Sequence, residues 1–278
     1  MRAFISLVRF LFWTCSLIPV QMALLALNSS AARRLPVAYH RGVCRIIGFH
    51  LVIKGEQCRA APVLFVSNHS SYLDIAVLGS VIEASFVAKS EVASWPFFGL
   101  LAKLQRTVFV DRRVSQTAGG RDAMTARLET GDRLVLFPEG TSNDGNRVLP
   151  FKSAYFGLAE KSVGGKSLTV QPVSVAYTRL DHMPMGRRYR PEFAWYGDME
   201  LPAHLWNVFG TGPTGVEVRF HEPVTIERFR SRKEMSAYCH DTVAAGVAKS
   251  LAGEPWRGVR KKKTRFRRLR QAAAAVGR

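Results

Sequence analysis

Between Val63 and Phe220 the chain is punctuated by short apolar runs, at Val63–Ser67, Ser85–Ala88, Thr107–Val110, Leu134–Phe137, Thr169–Tyr177, Phe193–Tyr196 and Val216–Phe220. Runs this short, rich in valine and aromatics, read as strands rather than helices. Helix-like patterns lie between several of them, including Gln116–Glu129 and Ser153–Lys161. Alternation of this kind predicts an α/β domain with a mixed, largely parallel sheet flanked by helices. A last long helix is expected from Ser231, where Glu234 stands at capping-box spacing, to about Leu251, where Gly253 and Pro255 end it.

Ahead of the first run the chain differs in kind. Phe10–Leu27 carries no charged residue, and Arg2 and Arg9 precede it. Its length borders on that of a membrane-crossing helix. The segment is therefore expected to associate with a membrane, spanning it or half-inserted, ahead of a buried soluble helix or a signal peptide. Basic residues on both flanks leave its orientation open. After a polar break at residues 28–36, an amphipathic stretch with Val43, Ile46 and Ile47 at helical spacing extends from Val37 to about Ile53. The organisation expected is a membrane-associating helical segment over residues 1–54, a catalytic domain over 55–254 and a basic tail over 255–278.

The formal charge of +19 calls for an anionic partner, such as lipid headgroups, nucleic acid or an acidic carrier protein. Ten lysines and arginines and no acidic residue lie from Arg257 onward, so the rest of the chain holds about +9. The tail reads as a solvated basic segment able to attach to anionic lipid. Cys15, Cys44, Cys58 and Cys239 show no metal or redox spacing and read as free thiols in a reducing compartment.

Several chemistries lack their motifs. Gly164–Ser167 resembles the end of a phosphate-binding loop, but Glu160 stands where its first glycine belongs. There is no Gly-x-Ser-x-Gly elbow and no His-Glu-x-x-His helix. The stretch Ser67-Asn68-His69-Ser70-Ser71-Tyr72-Leu73-Asp74 follows the first apolar run. Positions five apart diverge by about 140° on one helix, so His69 and Asp74 meet only if His69 lies in a turn and Asp74 in the helix after it. A carboxylate on Nδ1 fixes the histidine tautomer and leaves Nε2 to accept a proton from a hydroxyl. With no serine nucleophile in view, that hydroxyl belongs to a substrate. A second apolar run ends in Pro138-Glu139-Gly140-Thr141, and sites in α/β folds gather at the carboxyl ends of strands.

Asn68-His69-x4-Asp74, Phe109-Val110-Asp111-Arg112, Phe137-Pro138-Glu139-Gly140-Thr141 and Gln171-Pro172-Val173-Ser174-Val175 occur in the order and spacing of the glycerolipid acyltransferase family. The resemblance covers roughly Leu51 to Val224. The chain is similar to the 1-acylglycerol-3-phosphate acyltransferases, and the runs Phe86–Val110, Phe137–Arg147 and Gln171–Arg179 also resemble the lyso-ornithine lipid acyltransferases. The resemblance implies that His69 is the general base, that Asp74 orients it, and that Asn68, Glu139, Gly140 and Thr141 shape the acceptor site. Two departures stand out: Ser142 where many members have arginine, and Arg106 where many have glycine. Arg106 or Arg112 would then supply the cation for an acceptor headgroup.

The activity so implied is transfer of a fatty acyl group from an acyl thioester, on acyl carrier protein or coenzyme A, to the free hydroxyl of 1-acylglycerol-3-phosphate, giving phosphatidic acid. Lyso-ornithine lipid is the alternative acceptor. Backbone N–H groups of the two loops are candidates for the oxyanion, and the scheme needs no metal and no cofactor. The setting implied is the cytoplasmic face of the plasma membrane, with membrane lipids and not nucleic acid as partners. A basic nucleic-acid-binding protein and a non-catalytic lipid-binding module are the rival classes. The first fits poorly with the uncharged N-terminal segment, and the second has no use for a paired His69 and Asp74.

Overall fold

The computed structural model describes residues 1–110, 118–160 and 162–253. Two helices open it, α1 (Arg2–Ala26) and α2 (Ala31–Ile47), followed by strand β1 (Phe49–Lys54). The amphipathic helix therefore starts earlier than the sequence suggested and ends six residues sooner. Gly48 stops it with φ +95° and a return N–H bond to Cys44 O, a conformation glycine adopts without a Cβ penalty. Phe49–Lys54, expected as helix, is a strand and belongs to the sheet, so a division at residue 54 separates a strand from its own sheet.

The remaining strands are β2 (Val63–Ser67), β3 (Ser85–Lys89), β4 (Val108–Val110), β5 (Leu134–Leu136), β6 (Thr169–Leu180), the short β7 (Met183–Pro184) and β8 (Thr214–Phe220). They form one sheet in the order β1-β8-β6-β2-β5-β3-β4, with β7 paired to β6. β6, β2, β5, β3 and β4 are mutually parallel, whereas β8 runs antiparallel to β6 and parallel to β1. The sheet is thus mixed and mostly parallel. Phe193–Tyr196, read as a strand, is not one. It is a loop following Pro191, and its aromatics pack instead of pairing: Phe193 stacks on Tyr177 and Trp195 meets Tyr72 edge-on.

Helices α3 (Leu73–Val81), α4 (Phe98–Leu104), α5 (Ala118–Glu129), α6 (Leu201–Gly210) and α7 (Arg232–Leu251) complete the chain. Strand periodicity divides the core between the two faces of the sheet. Val63 and Phe65 of β2 point into one cluster with Leu73 and Val77 of α3 and Val43 of α2. Leu64 and Val66 point into the other, with Met124 of α5 and Met235, Cys239 and Val243 of α7. Each such side chain, fully buried, contributes about 1.5–3 kcal/mol. α7 begins as expected: Ser231 Oγ accepts the Glu234 N–H, while Glu234 reaches back to the Arg230 N–H. Ser153–Leu158 forms a 3-10 turn. The basic tail lies outside the described residues.

A candidate acyl-transfer site at the carboxyl ends of the strands

β2 ends at Ser67, the chain turns through residues 68–72, and α3 begins at Leu73. Asp74 thus sits in the first helical turn, where backbone N–H groups lack intrahelical partners. It is fully buried, and donors surround it. Oδ2 accepts the N–H groups of Ser70 and Ser71 at 2.7 and 2.9 Å and lies 3.0 Å from His69 Nδ1. Oδ1 accepts the Tyr177 hydroxyl at 2.9 Å. Burial, reinforced by the Asp74 charge, holds that phenol well above its ordinary pKa, so it remains a donor. A buried carboxylate is tolerable only with donors of this number.

The His69 ring stacks on Phe137, with centroids 4.0 Å apart and planes inclined by 17°. The stacking and the Asp74 contact together fix the imidazole, leaving Nε2 for an incoming group; about one fifth of the side chain is exposed. Among the described residues no serine, threonine or cysteine side chain bonds to this ring.

Glu139 follows β5 and is buried beneath the turn. Its Oε1 accepts the His69 N–H at 2.8 Å, and Oε2 accepts Asn143 Nδ2 at 2.8 Å and the Leu149 N–H at 3.0 Å. Asn143 Nδ2 also reaches the His69 carbonyl. Burial pushes the Glu139 carboxyl up to about 7 against the pull of these donors. Glu139, expected to contact the acceptor, instead clamps the two loops together. Asn68, also expected at the acceptor site, is likewise engaged within the protein. Its buried amide donates to the Val175 carbonyl and accepts the Val175 N–H, both at 2.9 Å, pinning the turn to β6. With the N–H groups of residues 69–71 taken by Glu139 and Asp74, and that of Gly140 by Phe137 O, none of these is free for an oxyanion.

Gly140 and Thr141 do face the open space. They line, with His69, a cavity of about 530 Å³. On its other side stand Phe10, Thr14, Leu17, Ile18 and Gln21 of α1. From Phe10 to Gln21 is roughly 16 Å of helix at 1.5 Å per residue, so the cavity is an elongated, mainly apolar channel. Ser142, where the family commonly has arginine, donates its hydroxyl to the Trp195 carbonyl.

Arg106 departs furthest from expectation. It precedes β4 and so lies at the opposite edge of the sheet, paired in a fork with Asp132, which precedes β5. Arg127 and Arg33 contact the same carboxylate. Arg106 has φ +62°, the left-handed region that a glycine occupies without strain, which accounts for the glycine common in the family at this position. Arg112 lies outside the described residues. Two lysines overlooked in the sequence are near the site. Lys89, the last residue of β3, lines the cavity, and Lys152 reaches over Gly140. The strand-end rule that found His69 applies equally to Lys89, the first charged residue after its apolar run.

An acyltransferase family model matches residues 50–176. Lyso-ornithine lipid O-acyltransferase of Brucella abortus (strain 2308) is 44% identical over 91% of this chain and 96% of its own length. The chain belongs to the acyltransferase family. A 1-acyl-sn-glycerol-3-phosphate acyltransferase of Neisseria gonorrhoeae is 33% identical to this acyltransferase over 69% of this chain and 74% of the relative. The crystal structure of the 1-acyl-sn-glycerophosphate acyltransferase PlsC from Thermotoga maritima superposes with a TM-score of 0.57, at 20% identity, covering 92% of this chain and 98% of that one. The acyltransferase shares its fold.

Proposed function

We propose that this acyltransferase moves a fatty acyl group from a thioester, on acyl carrier protein or coenzyme A, to the free hydroxyl of lyso-ornithine lipid, giving ornithine lipid. The observation that carries the reading is a histidine–aspartate pair, with no serine, threonine or cysteine side chain bonded to the ring among the described residues, on the wall of an apolar channel. His69 Nε2 takes the proton of the acceptor hydroxyl as its oxygen attacks the thioester carbonyl. Asp74 holds Nδ1 protonated and balances the imidazolium that forms. The tetrahedral oxyanion collapses, the C–S bond breaks, and the proton passes from His69 to the departing thiolate. Such acid–base assistance is worth about 10²–10⁴ in rate. The backbone N–H groups of Thr141 and Ser142, on the cavity wall, are the donors left to receive the oxyanion. The channel along α1 houses an alkyl chain.

Two observations favour lyso-ornithine lipid over 1-acylglycerol-3-phosphate, the acceptor first expected from the sequence. The relative that acts on it is the more similar of the two compared, and Ser142 replaces the arginine that would suit a phosphate. Transfer to 1-acylglycerol-3-phosphate is the second reading, supported by the Neisseria relative at 33% identity.

We further propose that the enzyme lies on the cytoplasmic face of the plasma membrane with α1 half-inserted. α1 is long and apolar enough to cross a bilayer. However, Phe10 packs against Phe97 and Phe209, and Gln21 bonds to the carbonyls of Ala32 and Leu104. A helix held to the α/β domain along its length lies in the interface, with exposed Phe4, Val8, Leu11 and Phe12 toward lipid. The test is purified enzyme with each lysolipid and each thioester donor, with products identified by mass. Ornithine lipid as the preferred product supports the assignment. Preference for phosphatidic acid replaces it with the second reading, and no transfer to either lysolipid removes both.

A further inference from the structure

Lys152 is fixed by its neighbours. Phe151 is buried and stacks on Phe156 beneath the sheet, the Lys152 N–H bonds to Pro138 O at 3.0 Å, and the Lys152 carbonyl accepts the Tyr155 N–H at 3.1 Å. Alternation about this anchored phenylalanine turns the lysine outward. A Cβ built on Gly140 would lie 2.7 Å from Lys152 Nζ and 3.5 Å from the Tyr155 hydroxyl. An ammonium and a phenol therefore converge over Gly140, and Tyr155 and Gly140 line the cavity that holds His69. Among the described residues no carboxylate pairs with the Lys152 ammonium. The acid nearest in sequence, Glu139, has both oxygens occupied by the turn and the loop. Arg106 is at the far edge of the sheet and position 142 is serine, so neither supplies this charge.

We propose that Lys152, assisted by Tyr155, is the specificity-determining residue that receives the anionic oxygens of the acceptor headgroup, a carboxylate or a phosphate. Held there, the headgroup tethers the acceptor while its hydroxyl reaches His69. The absence of a side chain at Gly140 is what lets the ammonium approach the cavity wall. The inference rests on the lysolipid-acceptor reading above and names the group that reads the headgroup.

The test uses the full chain, its Lys152→Met and Lys152→Arg variants and Tyr155→Phe, assayed with lyso-ornithine lipid and with its carboxyl methyl ester. For the free acid, Lys152→Met should raise the acceptor KM about 10- to 100-fold, the range of a charge-assisted hydrogen bond. The thioester KM should hold, and Lys152→Arg should recover part of the loss. For the ester, wild type and Lys152→Met should converge, because the partner of the ammonium is gone. An equal rise for acid and ester, or a rise in the thioester KM instead, overturns the proposal. Should the wild type prefer 1-acylglycerol-3-phosphate, the same comparison is made against monoacylglycerol, which lacks the phosphate. Should it acylate none of these, the functional reading fails by itself. Equilibrium binding of the same charged and uncharged lipids in detergent micelles then decides Lys152: selective loss of the charged lipid in Lys152→Met keeps the proposal, and equal binding ends it.

Discussion

Asp74 Oδ2 lies 3.0 Å from His69 Nδ1, and the same oxygen is held by the N–H groups of Ser70 and Ser71. The turn that presents the histidine and the carboxylate that orients it are therefore a single hydrogen-bonded unit. Asp74→Asn keeps an oxygen for the two N–H groups but loses the charge that balances the imidazolium. Its kcat should fall by at least about 10² with the fold retained. Asp74→Ala strands buried donors at about 1–3 kcal/mol each and should unfold at much lower urea. Steady-state kinetics and urea midpoints separate the two, and near-normal turnover in Asp74→Asn would falsify the base assignment.

Glu139 titrates near 7 in the folded chain because burial disfavours its charge, against an ordinary value of 4.5. Between those values the folded state binds the proton more tightly than the unfolded state does. The resulting stabilisation is complete below about pH 4.5 and is lost as pH rises through about 7, a swing of at most about 3 kcal/mol. Glu139→Gln abolishes the titration. Stability of the wild type relative to that variant should therefore decrease from pH 5 to pH 8 in paired urea titrations. A difference that stays flat, or grows with pH, would show that the three donors outweigh burial.

Arg106→Ala should cost stability and leave the acceptor KM alone. The fork to Asp132 is largely buried, and the carboxylate keeps Arg33 and Arg127, so a loss of about 1–3 kcal/mol is expected. Arg106→Gly should cost less, since glycine relieves the left-handed backbone at that position. A selective rise in acceptor KM in either variant would restore a role in substrate binding.

Phe4 and Phe12 are 61% and 74% exposed on the outer face of α1. Phe4→Glu combined with Phe12→Glu should abolish vesicle attachment that survives high salt, because apolar burial is insensitive to screening whereas basic residues act only within the Debye length. The cavity wall, formed by Phe10, Thr14 and Gln21, is untouched, so activity in detergent should persist. Flotation with anionic vesicles at low and high salt reads this directly. Salt-resistant binding by the double variant would place the attachment elsewhere. Deleting α1 is the poorer experiment, since it removes that wall.

Local chemistry was legible without coordinates. The five-residue spacing of His69 and Asp74 admits contact only across a turn into a helix, and the short apolar runs at Val63, Leu134 and Thr169 read as strands. The Ser231–Glu234 cap and the stop near Leu251 are equally local, set by groups within one helical turn. Where local signals conflicted they misled. Phe49–Lys54 continued an amphipathic pattern, yet left-handed Gly48 breaks the helix and β8 offers a parallel partner. Phe193–Tyr196 has strand-like composition, yet its aromatics find partners across the site.

The sequence by itself determined the fold class, the His69–Asp74 contact and the family, because each depends on periodicity or on short motifs of residues a few positions apart. Only the tertiary structure decided which partner each polar group finds. Glu139 and Asn68 proved to be clamps because each meets a partner distant in the chain, His69 in the turn after β2 at 70 residues and Val175 in β6 at 107. Arg106 went to the far edge because strand direction, not proximity to a motif, sets which end of the sheet a residue occupies. Lys152 came to Gly140 because the loop after β5 folds back on itself, and α1 came to the cavity wall through packing between segments far apart in the chain. A contact of that kind carries no periodicity, so it leaves no trace in a single sequence.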